Sequence, residues 1–209
     1  MKQLTSPAYD LKLVRYLTRR MTAATATSMW KRTTGRPGAL KSSMTKLMLI
    51  EQSKRCAYCG SRLFESHPAR DHIAPKEVYF KWTFWPENLV LACFACNTDQ
   101  KKSYDPVIAR GSSYRNTTFK FVHPYLDDPT LHIKFTGHRL KILISAASSS
   151  AKGQETINLF DLASTERSKQ RAKDALLDQD IEHLHGKWKR LFELVVSSPF
   201  SERLVMKMF

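Results

Sequence analysis

The sequence is short of acidic residues: 19 Asp and Glu stand against 34 Lys and Arg in 209 residues, which gives a formal net charge of +15. An excess of this sign favours a polyanionic partner. The sequence also lacks an apolar run of about 18 residues and an amphipathic lipid anchor, so we do not expect a membrane partner. Nucleic acid is the predicted partner.

Other absences narrow the class of protein. Met1 and Lys2 are followed by a mixed polar segment rather than by the apolar stretch of a secretory leader. There is no internal repeat and no long low-complexity tract. Hydrophobic residues make up 42% and charged residues 25% of the chain, which is ordinary for a globular protein with a real core. We therefore expect a globular cytoplasmic protein.

The chain has only four cysteines, and they form two CxxC pairs, Cys56 with Cys59 and Cys93 with Cys96, with 33 residues between the pairs. Such pairs are typical of two zinc knuckles that share one tetrahedral ion, with each thiolate about 2.3 Å from the metal. Two disulfides or four buried thiols are the alternatives. Because paired CxxC motifs in a reducing compartment more often bind metal than oxidise, the spacing predicts one structural Zn²⁺.

Polar residues suited to metal-dependent hydrolysis lie between and beside these pairs. Asp71 and His72 are adjacent, Asn88 precedes an apolar run, and Asn97 directly follows the last cysteine. In this order and spacing, residues 56–102 resemble the HNH endonuclease family. Its ββα-metal finger carries an acidic residue and a histidine on the first strand, an asparagine before the second, and a final His or Asn on the helix.

The resemblance implies a role for each of these residues. His72 is the predicted general base, because an unperturbed histidine pKa near 6.5 lets the side chain take a proton from water at neutral pH. Asp71 and Asn97 would hold one catalytic Mg²⁺ or Mn²⁺ and leave coordination positions for waters and the scissile phosphate. The Asn88 amide would pin the loop between the strands, which fixes a backbone carbonyl that can orient His72.

Basic residues in and near the finger are candidate nucleic-acid contacts: Arg70, Lys76, Lys81, Lys101 and Lys102. The last two follow Asn97 by about one helical turn, where an ammonium can meet a phosphate. Plainer interpretations stay open at this point. His72 could be a core histidine, Asn97 a helix cap, and the finger a zinc knuckle that only binds nucleic acid.

Aromatic side chains are assigned mainly to packing. The segment from Tyr79 to Trp85 is rich in rings and lies between the two halves of the site, where a small finger needs bulk to cover its hairpin. Trp30, beside Lys31 and Arg32, could stack on a base, although a place in the core is the commoner fate of tryptophan.

The region before the finger is strongly basic, with ten Lys and Arg against Asp10 alone in residues 1–50. An apolar stripe from Leu11 to Leu17 predicts one helix, the Thr, Ser, Gly and Pro content of Thr22–Gly38 predicts a loop, and a second helix is expected over Ala39–Gln52. This region is either an arm that follows a phosphate backbone or a solvated helical face.

After Ser103 the sequence predicts a few strands, at Phe119–His123, His132–Phe135 and Leu140–Ser145, and a long helix from about Ser164. The helix has an apolar stripe of core or interface type: Leu177, Ile181, Leu184, Trp188, Leu191 and Val195. The segments HPYLDDPTLHIKF and TINLFDL resemble the accessory region of bacterial HNH proteins of anti-phage defence, including nuclease subunits of Septu-type systems.

These patterns predict an α+β chain with a basic helical region (1–50), a zinc-stapled nuclease finger (51–103) and an accessory region (104–209). We expect a metal-dependent nuclease of anti-phage defence, with DNA favoured by the resemblance. A partner, for example a defence-type ATPase, would bind the C-terminal helix and tail. The alternatives are a tRNA-cleaving toxic effector and an inactive zinc-stapled binding or assembly subunit. No recognition helix or base-reading code is present.

Overall fold

The structure is a computed structural model of the chain, and it describes residues 1–63, 68–136, 143–183 and 185–186. The predicted α+β class is confirmed, since helices flank small two-stranded antiparallel sheets. Within these ranges, no helix combines the length and apolar character needed to cross a bilayer.

Three helices precede the finger: α1 (Leu11–Arg20), α2 (Ala26–Lys31) and α3 (Gly35–Glu51). The prediction of a loop from Thr22 to Gly38 is wrong in part, because α2 and the first turn of α3 lie inside it. Proline usually disrupts a helix. Pro37 lies in the first turn of α3, where a backbone N–H has no intrahelical acceptor, so its missing N–H removes no hydrogen bond. Proline is therefore compatible with this helix start.

The centre of the fold is a hairpin in which β1 (Ala69–His72) pairs with β2 (Leu89–Ala92), with Asp71 opposite Val90. All four residues of β2 are buried. Alternation along the strand places Leu89 and Leu91 in the core shared with α1 and α3, and Val90 and Ala92 in the core shared with the accessory region. The hairpin is thus packed on both faces.

The hairpin is tied to its surroundings at the backbone. Gln52, at the end of α3, donates from Nε2 to the Leu91 carbonyl and accepts from the Leu91 N–H, each at 2.8 Å. After β2 the chain forms a short π helix, Ala95–Lys101, which contains the last cysteine and Asn97. The helix of the finger therefore starts directly from the second CxxC pair.

The accessory region contains two further hairpins, β3 (Val107–Ala109) with β4 (Thr118–Phe119) and β5 (Ile133–Thr136) with β6 (Leu143–Ala146). They are followed by α4 (Ala151–Leu159) and α5 (Thr165–His183). The strand predicted over His132–Phe135 and the helix predicted from about Ser164 are confirmed, and β6 covers the described part of Leu140–Ser145.

The strand predicted over Phe119–His123 is wrong beyond Phe119. Its apolar residues are buried, but the Val122 N–H donates at 2.8 Å to the Thr156 hydroxyl of α4 rather than to a neighbouring strand. Burial without a strand partner explains the error. The stripe beyond Leu177 and the apolar end at 204–209 lie outside the described side chains.

Candidate active site and zinc centre

The four cysteines come together at one point of the finger. Their sulfur atoms all lie within 4.8 Å of one another, and the Sγ atoms of Cys59 and Cys93 are 3.8 Å apart. A tetrahedron of thiolates with metal–sulfur distances of about 2.3 Å has edges of about 3.8 Å. The cluster Cys56, Cys59, Cys93 and Cys96 therefore fits one tetrahedral zinc ion.

Local backbone geometry builds the first knuckle. The Gly60 N–H donates to the Cys56 carbonyl at 2.9 Å, and the Cys56 N–H donates to the Ser61 carbonyl at 2.8 Å. Gly60 has φ +74, a left-handed conformation that glycine adopts without steric cost. The turn directs both thiols of this pair to the same side.

A positive side chain covers the cysteine cluster. The guanidinium of Arg167, on α5, lies 3.4 Å from the Sγ of Cys96, 3.7 Å from that of Cys59 and 4.0 Å from that of Cys93. Four thiolates around a divalent ion carry a net negative charge, which a guanidinium can partly neutralise. The accessory region thus contacts the four-cysteine cluster directly.

His72 is buried at the end of β1, and its Nε2 lies 3.0 Å from the Thr83 carbonyl oxygen. Because a carbonyl only accepts, Nε2 carries the ring proton and Nδ1 is left as the acceptor. Burial, with the Lys76 ammonium as the second cause, lowers the pKa of His72 to about 3. The imidazole is therefore neutral at neutral pH, which is the form a general base needs.

Trp30 of α2 packs against the His72 imidazole. The two ring centroids are 4.3 Å apart in an edge arrangement, and the Phe84 ring lies 5.6 Å from that of Trp30. The buried Lys41 ammonium donates to the Trp30 carbonyl and lies 5.1 Å above the indole ring. The sequence predicted that Trp30 either stacks on a base or packs in the core. In the structure Trp30 contacts the His72 ring.

Asp71 has a donor at each carboxylate oxygen. The Tyr58 hydroxyl donates to Oδ2, and the Lys101 ammonium lies 3.3 Å from Oδ1 and donates to the His72 carbonyl at 2.7 Å. Burial raises the pKa of Asp71, while Lys101 and Tyr58 oppose that shift. Tyr58 lies within the first CxxC pair and Lys101 follows the second, so both knuckles position this carboxylate.

Lys101, which the sequence predicts as a phosphate contact, is therefore buried. Its side chain is 1% exposed and forms an ion pair with Asp71. Lys102 is exposed and follows at the end of the π helix. An ammonium that balances a buried carboxylate is a different function from a surface phosphate contact, and sequence spacing alone does not separate the two.

An open cleft of about 380 Å³ brings the predicted residues together. Asp71, His72 and Asn97 all line it. So do several basic and aromatic side chains: Trp30, Arg70, Lys76, Lys101 and Lys102. Lys81 is exposed and lies outside this lining, with its ammonium 5.5 Å from the Phe80 ring centroid. The lining also contains Glu77, whose carboxylate pairs with Lys76 at 2.6 Å. The cleft therefore combines a neutral imidazole, the Asp71 carboxylate and a neutral amide with a rim of net positive charge.

Asn88 lies behind the cleft and is buried. Its Nδ2 donates to the carbonyls of Ala74 at 3.0 Å and Trp82 at 3.1 Å, and its Oδ1 accepts from the Ala74 N–H at 2.7 Å. Trp82 directly precedes Thr83, whose carbonyl contacts His72. The geometry fits the loop-pinning function predicted from the resemblance.

Two buried residues of the accessory region extend this network, and sequence reasoning missed both. The Tyr114 hydroxyl donates to Asn88 Oδ1 at 3.1 Å, and His123 Nε2 lies 2.9 Å from the same hydroxyl. His123 Nδ1 accepts from the N–H groups of Tyr125 and Leu126 at 3.2 and 3.3 Å. No local motif marks these residues, because the contacts cross 26 and 9 positions of sequence.

The donors at the cleft suit a hard divalent cation. Asp71 offers carboxylate oxygens, each of which keeps a second lone pair beside its present donor, and Asn97 offers a neutral amide oxygen. Oxygen donors of these two types are those that Mg²⁺ and Mn²⁺ prefer. The residues present therefore fit such an ion in chemistry.

Comparison with known proteins agrees with this arrangement. Residues 56–103 match the family described as HNH endonuclease. This part of the chain is an HNH domain. The range begins at Cys56, the first cysteine of the cluster, contains Asp71, His72, Asn88 and Asn97, and ends just after Lys102.

The similarity to known proteins extends beyond the HNH domain. The chain is similar to the Septu protein PtuB of Bacillus mycoides (strain KBAB4), at 27% identity over 151 residues, which cover 61% of this chain and 48% of the relative. The chain thus spans about half the length of the curated relative it matches. The similarity fits the resemblance to anti-phage HNH proteins.

Proposed function

We propose that the chain is a metal-dependent HNH endonuclease that hydrolyses phosphodiester bonds of nucleic acid, with DNA as the favoured substrate. The observation that carries the proposal is the orientation of His72. The Nε2 atom of His72 lies 3.0 Å from the Thr83 carbonyl oxygen, so Nδ1 is the nitrogen that can accept a proton. The His72 ring packs against Trp30 and lines a cleft whose rim has a net positive charge. A histidine that serves only to pack the core does not have to line a cleft, whereas His72 does line one.

The proposed reaction uses the residues of the cleft in order. His72 Nδ1 accepts a proton from water, and the water oxygen forms a bond to phosphorus as the bond to the leaving oxygen breaks in line. The leaving oxygen takes a proton from solvent water, and His72 returns its proton to solvent. Asp71 and Asn97 are the residues that would hold one Mg²⁺ or Mn²⁺, which supplies stabilisation of the charge on the phosphate and the leaving oxygen. The zinc at the four cysteines has a structural function only.

A cleavage assay tests the proposal. Purified wild type, His72→Ala and His185→Ala are incubated with plasmid DNA and total tRNA in Mg²⁺ or Mn²⁺. We expect His72→Ala to reduce cleavage by roughly a hundredfold to ten-thousandfold while the protein still folds, as a cooperative melting transition would show. His185, exposed and far from the finger in sequence, is the matched control and should leave the rate unchanged. Undiminished cleavage by His72→Ala would remove His72 as the base.

The same assay separates the alternatives. Cleavage of tRNA but not of plasmid would favour the tRNA-cleaving toxic effector, since the HNH site acts on a phosphodiester that both substrates contain. An inactive zinc-stapled assembly subunit predicts no cleavage by wild type and unchanged partner binding by His72→Ala. The resemblance to the HNH endonuclease family supports DNA as the substrate.

We further propose that the protein is a cytoplasmic effector of anti-phage defence, restrained or aimed by a partner of the defence-ATPase type. The similarity to a Septu protein supports the defence assignment, and four zinc-spaced thiols suit a reducing compartment. A free nuclease of charge +15 would endanger its own cell. The test is removal of residues 199–209, which should abolish co-purification of the partner. A purified chain that is monomeric, fully active alone and unaffected by the truncation would contradict the proposal.

A further inference from the structure

We propose that a second, arginine-lined cleft between α1, α2 and α3 binds the backbone phosphates of the nucleic acid that enters the active site. This inference rests on the proposed function. The cleft has a volume of about 670 Å³ and lies outside the HNH domain in sequence. Its basic side chains, Arg20, Arg32 and Arg36, are here called the arginine cleft.

The charge of the arginine cleft is not balanced by neighbouring residues. None of the residues that line it is acidic, and Arg20, Arg32 and Arg36 form no ion pair with any residue in the described ranges. Three exposed guanidinium groups in one concave surface repel one another unless an anion lies between them. Phosphate is the anion that their planar donor arrays match.

Two of these arginines are held in place by one aromatic ring. The guanidinium carbons of Arg20 and Arg36 lie 3.6 and 4.3 Å from the ring centroid of Tyr16. Arg20 also donates to the Tyr16 carbonyl at 3.3 Å. Stacking of this kind already restricts the arginine side chains, so they lose less conformational entropy when they bind a phosphate. The groups are therefore arranged before the ligand arrives.

The start of α3 adds to the positive potential. Thr34 precedes the helix without a side-chain cap, and the first turn contains no acidic residue. Thr34, Gly35 and Pro37 also line the cleft. Uncapped N–H groups at the start of a 17-residue helix add partial positive charge to that of the arginines.

The position of the arginine cleft relative to the active site suits one continuous strand. Ser28 and Met29 of α2 line the arginine cleft, whereas Trp30 of the same helix lines the active-site cleft and contacts His72. The two clefts thus lie on either side of α2. A helix with its side chains is about 10–12 Å across, and stacked nucleotides advance about 3.4 Å each along a strand. Phosphates about three nucleotides from the scissile bond would reach the arginines.

The first experiment measures binding without cleavage. In a His72→Ala background, Arg20, Arg32 and Arg36 are replaced together by Gln, and the affinity for a labelled DNA duplex and for labelled tRNA is measured over a salt series. We expect the affinity to fall on the order of tenfold or more, and the log–log salt slope to decrease by about 2–3 for three lost phosphate contacts. Loss with only one of the probes identifies which nucleic acid the cleft takes.

The matched control removes three charges elsewhere on the same region. Lys12, Arg15 and Arg19 are exposed on α1 but do not line the cleft, so their triple Gln variant has the same net charge. It should change affinity and slope much less. Equal losses in both variants would overturn the proposal, since they would reflect net charge alone; an unchanged slope in the cleft variant would overturn it as well.

A single variant guards against misfolding, because replacing Arg20 and Arg36 removes their contacts with Tyr16. Arg32→Gln alone should keep the wild-type melting temperature and lower the salt slope by about one. In otherwise wild-type protein it should raise KM and leave kcat unchanged, because the arginine contacts no reacting atom. A protein that binds through this cleft but cuts nothing would contradict the nuclease proposal and leave the binding proposal standing.

Discussion

The Asn88 amide has hydrogen-bond partners at both of its ends, and it holds the loop whose Thr83 carbonyl contacts His72. Nδ2 donates to two loop carbonyls, and Oδ1 accepts from the Ala74 N–H and from the Tyr114 hydroxyl. Since His123 Nδ1 accepts two backbone N–H groups, its Nε2 carries the proton and donates to Tyr114. The direction of every hydrogen bond from His123 to Asn88 is thereby fixed.

The first prediction concerns the hydroxyl in the middle of this network. Tyr114→Phe leaves the His123 Nε2–H without its acceptor in a buried site, so the free energy of unfolding should fall by about 1–3 kcal/mol. Urea denaturation measures the change. Tyr79→Phe is the matched control, because that hydroxyl donates at 3.0 Å to Asp105 from a half-buried ring. A Tyr114 variant as stable as the Tyr79 variant would show that the network contributes little.

The second prediction concerns pH. Burial lowers the pKa of His123 to about 3, against the opposing effect of the Asp127 carboxylate, while the Lys152 ammonium lowers it further. Between about pH 6.5 and pH 3 the unfolded state then binds more protons than the folded state, so stability falls as the pH falls through this window. One such group contributes at most about 1.4 kcal/mol per pH unit.

Urea denaturation at several pH values below 6.5, with zinc in excess, measures this slope. The His123→Gln variant removes the titrating group and should show a shallower dependence on pH than wild type, with a lower stability near neutrality. Parallel curves for the two proteins would mean that other groups set the acid sensitivity.

At the scale of elements, the finger, α1, α3, α5 and the β5–β6 hairpin could be predicted from sequence, whereas α2 and the course of the chain after Phe119 could not. The CxxC pairs and the Asp71–His72 pair are local patterns with a fixed chemistry, and the structure places the four sulfur atoms close together and both Asp71 and His72 in the lining of one cleft. Helix α2 was missed because it has only six residues and no side-chain cap, lies in a segment rich in Thr, Ser, Gly and Pro, and is stabilised by tertiary contacts of Trp30. Lys101 was predicted as a phosphate contact because sequence spacing does not reveal burial.

The third prediction tests the zinc centre as the element that holds the finger together. Cys93→Ser should lose the bound zinc and unfold the finger, because the binding free energy of a structural zinc, on the order of 10 kcal/mol, is folding free energy. Metal content per chain and thermal melting are the measurements. Arg167→Gln removes a side chain that contacts three sulfurs without being a ligand, and should keep one zinc. Retained metal with normal melting in Cys93→Ser would contradict the four-cysteine assignment.

At the scale of the whole molecule, α5 connects the end of the accessory region to the zinc finger. Asp174 accepts from the Arg62 N–H at 3.2 Å and lies 3.8 Å from the Arg55 guanidinium, while Asp178 forms ion pairs with both arginines. Together with Arg167 at the sulfurs, these contacts join the start of the proposed partner-binding helix to the element that positions Asp71. These contacts link α5 to the first CxxC pair, so a change in the position of α5 would be felt there.

The last prediction tests this connection. Asp174→Asn with Asp178→Asn leaves two arginines beside the first knuckle without their carboxylates, of which Asp174 is 8% exposed in its side chain. We expect a loss of about 1–3 kcal/mol in the free energy of unfolding, and faster proteolysis within α5 than in the finger. Glu166→Gln breaks the exposed pair with Lys169 on the same helix and should cost less than about 0.5 kcal/mol. If the two variants are cut in α5 at the same rate, the helix is held by its apolar contacts, and the ion pairs cannot be the route by which a partner reaches the nuclease site.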